Sequence, residues 1–219
     1  MIISEDRNFV FVHIFKTAGT SVKRAIRRFA MPAWQERANF FRKRLGLAQY
    51  GPRIHPDHMT ASHLIEEMGE QAFGRLFSFA FVRNPWDWEF SHYRHIVRQR
   101  RHHLHDEVRR MAGFGEYVRW RCDNRFQLQQ SFIMHRGEPV VDFVGRFENL
   151  QNDFARVCRT VGVRCRLPRL NRGRAAEYRQ AYDERTAQLI HQTYLADIEL
   201  FDYRFDPVCN KKQIPAGEI

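Results

Sequence analysis

Lys16-Thr17-Ala18-Gly19-Thr20-Ser21 is the segment whose residue types and spacing point most directly to chemistry. It follows a β-branched and aromatic run at 9–15 and precedes a stretch with Val22, Ala25, Ile26 and Phe29 at helical spacing. A strand that turns into a helix leaves the first-turn N–H groups without partners inside the helix. Those groups and the helix dipole together favour an anion. Gly19 lets the backbone approach a phosphate, Thr20 and Ser21 bring hydroxyl donors, and Lys16 brings a mobile cation. Taken alone, the segment fits a plain strand-to-helix turn capped by Thr or Ser equally well. A Walker loop ends in Gly-Lys-Ser/Thr and carries two glycines; here the Lys leads and there is one Gly, which weakens an ATPase or GTPase reading.

Arg83 and Ser91 change the balance. Arg83 follows a second apolar run, Phe-Ser-Phe-Ala-Phe-Val at 77–82, and ligands of open α/β sheets bind at the carboxyl ends of strands. Ser91 lies two turns along the helix expected from Pro85 onward. A guanidinium forks onto phosphate oxygens, and a hydroxyl can donate to the same group. Two strand ends, each with a cation and hydroxyls, suggest a ligand with two separated phosphates.

These residues resemble the PAPS-dependent sulfotransferase family (PAPS is 3′-phosphoadenosine 5′-phosphosulfate), in particular its carbohydrate-type branch. The first loop is similar to that family's 5′-phosphosulfate loop. Phe79-Ala80-Phe81-Val82-Arg83-Asn84-Pro85-Trp86-Asp87 with Ser91 and Tyr93 is similar to its 3′-phosphate segment. Gly145-Arg146-Phe147-Glu148-Asn149-Leu150 and the ending with Asp197, Ile198, Phe201, Tyr203 and Phe205 also fit, so the resemblance covers nearly the whole chain. It implies transfer of a sulfuryl group from PAPS to an acceptor hydroxyl, on a carbohydrate or another polyhydroxyl metabolite. Lys16, Thr17, Ala18, Gly19, Thr20 and Ser21 would hold the 5′-phosphosulfate end, and Arg83 and Ser91 the 3′-phosphate. Trp88 departs from the family, where many members carry Arg.

In-line attack on sulfur develops negative charge on the leaving oxygen, and Lys16 with the loop N–H groups is placed to stabilise it. That supply of positive charge makes a metal unnecessary on this account. A general base favours histidine near neutral pH. His58, just ahead of the helix expected from Thr60, is the first choice, and the resemblance implies a functional His in that region; His55 and His63 follow. His13 alternates within the first strand and is expected to be packed, and His102, His103 and His105 to form an exposed cluster. Arg172 and Arg174 lie in a late basic loop, where Arg174 is a candidate for the cofactor, although an anionic acceptor or a solvated turn suits the loop as well. The Arg42-Lys43-Arg44 cluster leaves the same choice open.

These candidates must be positioned by alternating strands and helices. Strands are expected at 9–15, 77–82 and 140–147, and helices at 21–29, 60–68, 86–101, 150–161 and 183–200. Such alternation argues for an α/β, P-loop-like three-layer fold with a central parallel sheet flanked by helices. With 219 residues, 43% of them hydrophobic, 19 Phe and 4 Trp, the chain suits one domain spanning 1–219. The net charge of +11 favours polyanionic partners. Nucleic acid is not the expected one, because most aromatic residues fall in strands or on inward helix faces. Cys122, Cys158, Cys165 and Cys209 include no CxxC pair, which argues against structural zinc. No run reaches the ~18 apolar residues of a membrane span, and no leader pattern opens the chain. If Met1 is the natural start, a cytoplasmic protein is expected. The competing functions are a P-loop-type nucleotide-dependent kinase, which should show Gly-Lys-Ser/Thr and a magnesium-holding Asp, and a non-catalytic basic polyanion-binding protein.

Overall fold

The computed structural model describes residues 1–30, 38, 41, 42, 44–47, 58–124, 126–168 and 177–205. In chain order, the first elements are β1 (Ile2–Ser4), β2 (Phe9–Val12), α1 (Gly19–Ala30), α2 (Ala61–Met68), α3 (Glu70–Gly74) and β3 (Phe77–Val82). Then come α4 (Pro85–Arg98), α5 (His105–Arg109), α6 (Phe114–Asn124), β4 (Met134–His135), β5 (Glu138–Pro139) and β6 (Phe143–Arg146). The last are α7 (Leu150–Thr160), α8 (Glu177–Ala181), α9 (Glu184–Thr193) and α10 (Leu195–Leu200). The chain forms two compact units, Met1–Arg83 with Gln127–Arg172, and Asn84–Phe126 with Gly173–Ile219.

In the first unit a four-stranded sheet runs in the order β1-β2-β3-β6. β2, β3 and β6 are parallel, with Phe11 opposite Phe79 and Phe79 opposite Phe143, and β1 adds an antiparallel edge. Phe9, Phe11, Phe79 and Phe81 share one face and pack with Val22, Ala25 and Ile26 of α1 and Phe154, Val157 and Cys158 of α7. The alternate residues Val10, Val12, Ala80 and Val82 are buried too. Burial on both faces is why these strands read as continuous apolar runs rather than alternating ones. The fold is the expected α/β arrangement, a mostly parallel sheet flanked by helices.

Two strands are shorter than the apolar runs suggest. The 9–15 run leaves the ladder after Val12, because Thr17 Oγ1 donates to the Ile14 carbonyl (2.8 Å) and Lys16 turns with φ +62°. The 140–147 run starts pairing at Phe143, since the Asp142 carboxylate takes both the Ser78 N–H (2.7 Å) and the Ser78 hydroxyl (2.8 Å) in place of a ladder bond. The helix from Thr60 forms as read: the Thr60 hydroxyl accepts the His63 N–H (3.2 Å) as an N-cap.

The second unit is built around a buried charge. Asn84 caps α4 by accepting the Trp86 N–H (3.1 Å), with Pro85 in the first turn, and Trp86, Trp88 and Glu89 are buried. Arg121 Nε on α6 donates to both Glu89 oxygens at 3.2 Å. The Tyr117 hydroxyl donates to the same carboxylate at 2.8 Å and the Tyr194 hydroxyl at 2.7 Å, and His92 Nδ1 stands 3.9 Å away. The helix expected over 183–200 is broken into α9 and α10 at Tyr194 (φ −105°, ψ 19°), which delivers that hydroxyl to Glu89. The expected exposed histidine cluster does not form as such: His105 is buried and its Nδ1–H donates to the Ile96 carbonyl at 2.9 Å. Among the described residues, no helix is long and apolar enough to cross a membrane.

Burial raises the Glu89 carboxyl, but His92, Arg121 and the Tyr194 hydroxyl outweigh it and hold the group at about 2, below its ordinary 4.5. Glu89→Ala leaves the Arg121 guanidinium buried without its anion, and is expected to cost about 3–5 kcal/mol in chemical denaturation. With the folded value depressed, the carboxylate's contribution is complete above pH 4.5 and is lost as pH falls toward 2. Acid titrations of the wild type and Glu89→Gln, followed by circular dichroism, should therefore converge across that window.

Candidate active site

The carboxyl ends of β2, β3 and β6 lie along one edge of the parallel sheet, and the loop after β2 forms at that edge. Lys16 (φ +62°) and Ala18 (φ +67°) both hold left-handed backbone, whereas Thr17 between them and Gly19 after them do not. Alternation of this kind turns successive N–H groups toward one side, forming an anion-accepting nest, and it continues here into the N-terminus of α1. Left-handed backbone at a non-glycine residue costs about 1–2 kcal/mol. The bonds that hold it include Thr17 Oγ1 to the Ile14 carbonyl (2.8 Å), the Ser21 and Val22 N–H groups to the Ala18 carbonyl (2.9 and 3.1 Å), and Arg83 Nη1 to the Lys16 carbonyl (3.0 Å).

Arg83 thus reaches the loop itself. It is buried, its guanidinium lies over the Phe147 ring (3.9 Å to the centroid), and its backbone is gripped by Gln129. The Arg83 N–H donates to Gln129 Oε1 and Gln129 Nε2 donates to the Arg83 carbonyl, both at 2.8 Å. Gln129 is fully buried, and no local pattern in the sequence marks it.

His58 stands against the same strand end. Its ring centroid is 4.4 Å from that of His13 and 6.0 Å from that of Phe15. His58 Nδ1 lies 3.2 Å from the His13 carbonyl. A carbonyl only accepts, so Nδ1 carries the hydrogen and, in the neutral ring, Nε2 carries the lone pair. The His58 residue is exposed.

The remaining sequence candidates take different places. Thr20 is exposed at the start of α1 and Ser21 is buried there. The Thr17 hydroxyl is committed to Ile14, so its means of meeting an anion is its N–H. His63 sits in the α2 cap, its Nδ1 2.7 Å from Thr60 Oγ1. Ser91 is half-buried on α4 in the second unit. Trp88, the departure from the family pattern, is a core residue of that unit, edge-on to Tyr194 at 6.0 Å. His55, Arg172 and Arg174 lie outside the described residues. Among the described residues, no three His, Cys, Asp or Glu side chains converge as metal ligands.

His13 has a role that alternation alone does not reveal. A Cβ at position 19 would overlap its ring at Nε2 and Cδ2, so the space a side chain would fill is taken by imidazole. Gly19 is required here by the histidine beneath the loop.

The sequence profile of the sulfotransferase family matches residues 1–204. The chain belongs to the sulfotransferase family, and is a transferase that moves a sulfuryl group to an acceptor hydroxyl. A 107-residue stretch is 28% identical to an uncharacterized protein of Archaeoglobus fulgidus, covering 48% of this chain and 83% of that protein.

Gly19→Ala is expected to displace His13 and destabilise the fold by about 1–3 kcal/mol, as overpacking does. Adding His13→Ala to that chain should recover part of the loss in thermal unfolding. A double variant no more stable than Gly19→Ala would show that the two residues are not coupled through this contact.

Proposed function

We propose that the protein transfers the sulfuryl group of PAPS to a hydroxyl of a carbohydrate or another polyhydroxyl metabolite by in-line displacement. The observation that carries this reading is the Arg83 guanidinium clasping the Lys16 carbonyl, which joins the two anion-binding motifs at one sheet edge. The loop suits a phosphosulfate: nest geometry, a helix N-terminus and two cationic residues meet at one place. PAPS, when bound, supplies an activated sulfuryl group on a phosphate leaving group.

In this proposal, the N–H groups of 17–20 and the Thr20 and Ser21 hydroxyls hold the 5′-phosphosulfate end, the Ser21 N–H being taken by the Ala18 carbonyl. Arg83 and Ser91 hold the 3′-phosphate, with Arg174 as a further contact. Lys16 neutralises the charge that develops on the leaving oxygen. His58 accepts the acceptor's proton at Nε2, with the His13 carbonyl fixing its tautomer. The chain is read as a single sulfotransferase domain over 1–219, a reading supported by a family match over residues 1–204 that takes in residues of both units. A cytoplasmic setting is part of this reading and would keep Cys158 and Cys165, whose Sγ atoms lie 3.1 Å apart, as thiols.

Calorimetric titration without metal should show adenosine 3′,5′-bisphosphate binding about tenfold or more tightly than ADP or ATP, the value of one charge-assisted phosphate contact. ATP binding that equals or exceeds it and depends on Mg²⁺ would overturn the reading in favour of a kinase. Lys16→Ala should lower turnover about 100- to 1,000-fold. His58→Ala should bind the bisphosphate normally and lose about 100-fold or more in turnover; full turnover would remove His58 from the mechanism.

A further inference from the structure

The end of α7 turns the chain back onto the helix. Gly162 takes left-handed backbone (φ +66°). The Gly162 N–H donates to the Arg159 carbonyl (3.3 Å), and the Val163 N–H to the Cys158 carbonyl (2.9 Å). A glycine cap of this kind closes the last turn and reverses the chain. Val163 and Leu167 then join the phenylalanine-rich core, and Arg28 Nη2 on α1 donates to the Arg164 carbonyl at 2.7 Å. Cys165 stands between these anchors. Its Sγ lies 3.1 Å from Cys158 Sγ, and both are thiols. Cys158 is buried and Cys165 half-buried. A lone buried cysteine packs as a small hydrophobe. Here two thiols face each other on backbone fixed from both sides, and about 1 Å separates their contact from the about 2.05 Å of a disulfide bond.

We propose that Cys158 and Cys165 form a redox-responsive clasp, which a low-molecular-weight disulfide closes to an intrachain disulfide and a thiol reductant reopens. In a reducing setting the pair rests open. Burial, together with hydrogen bonding and charge interaction with Cys165, pushes the Cys158 thiol up to about 12. The half-buried Cys165 therefore reacts first. Its thiolate attacks one sulfur of the external disulfide, whose S–S bond breaks, and one external thiol leaves. The mixed disulfide removes the Cys165 thiol that helps to keep Cys158 protonated. Cys158 then gives its proton to solvent, and its thiolate displaces the second external thiol. Two protein S–H bonds and one external S–S bond become one protein S–S bond and two external S–H bonds. The closed clasp fastens the segment 163–167 to α7. It rests on neither the donor nor the acceptor proposed above.

The test is to incubate the native full chain with excess oxidised glutathione, block remaining thiols with iodoacetamide, and map its peptides by mass spectrometry without reduction. Cys158 should be found linked to Cys165. The thermal unfolding midpoint should rise by about 4–8 °C on oxidation and fall back with reductant. Cys158→Ser should stop at the mixed disulfide, with one glutathione held on Cys165. The combined variant C158S/C165S should show no oxidation-dependent rise in midpoint. A wild type whose Cys158 and Cys165 are both alkylated, or that keeps glutathione on Cys165 without closing the bond, overturns the proposal. So does linkage of either residue to Cys122 or Cys209, or a wild-type midpoint that oxidation leaves in place.

Discussion

The loop after β2 depends on a contact from the next strand, the Arg83 guanidinium on the Lys16 carbonyl. The loop after β2 places two non-glycine residues in left-handed backbone, a conformation that persists only where neighbours over-determine it. Thr17 ties the loop down from within, and Arg83 ties it from the next strand. Arg83 can do so because β2 and β3 are parallel and in register, with Val12 opposite Ala80, so both chains leave the sheet at the same edge. The phenylalanine-rich face that α1 and α7 cover fixes this register, since a one-residue slip would turn Phe9, Phe11, Phe79 and Phe81 to the other side.

The two units reach specificity by different means. The first is apolar, with stacked and tilted phenylalanines such as Phe11 on Phe79 at 5.2 Å. The second places an ion pair in its centre, where Glu89 receives Arg121, Tyr117 and Tyr194. A buried pair of this sort adds little net stability over an apolar core, but each member demands a directed partner. Three helices, α4, α6 and α9, must then end in one register for every oxygen of Glu89 to be satisfied.

Much of this was readable from residue order, and the exceptions share a cause. Strand 77–82, the Thr60 cap and the helix opening at Pro85 are local signals, decided by apolar runs, a side-chain oxygen and a fixed φ. The Lys16–Ser21 loop and Arg83 were legible as motifs for the same reason. By contrast, α6 carries Arg119 and Arg121 among its apolar residues, and only Glu89, 32 positions away, makes Arg121 a core residue. The break at Tyr194 is set by the same distant carboxylate. Gln129 lies in a stretch with Gln127 and Gln130 beside it, and no local pattern separates the one that grips Arg83. Alternation along the strand marks His13 as packed, but its place beneath Gly19 depends on how the loop folds back.

The Gln129 fork also bears on the order of assembly. Its two bonds close a separation of 46 residues, and most of the intervening stretch, 84–126, is one segment of the other unit. Closing so long a loop is entropically late compared with forming α1 or pairing β1 with β2. The peptide that carries Arg83 is therefore pinned only after Gln129 has returned to the sheet. In the proposed reading, an anion bound at the loop after β2 would add to the stability of the folded chain by mass action, because only the folded chain presents the braced loop.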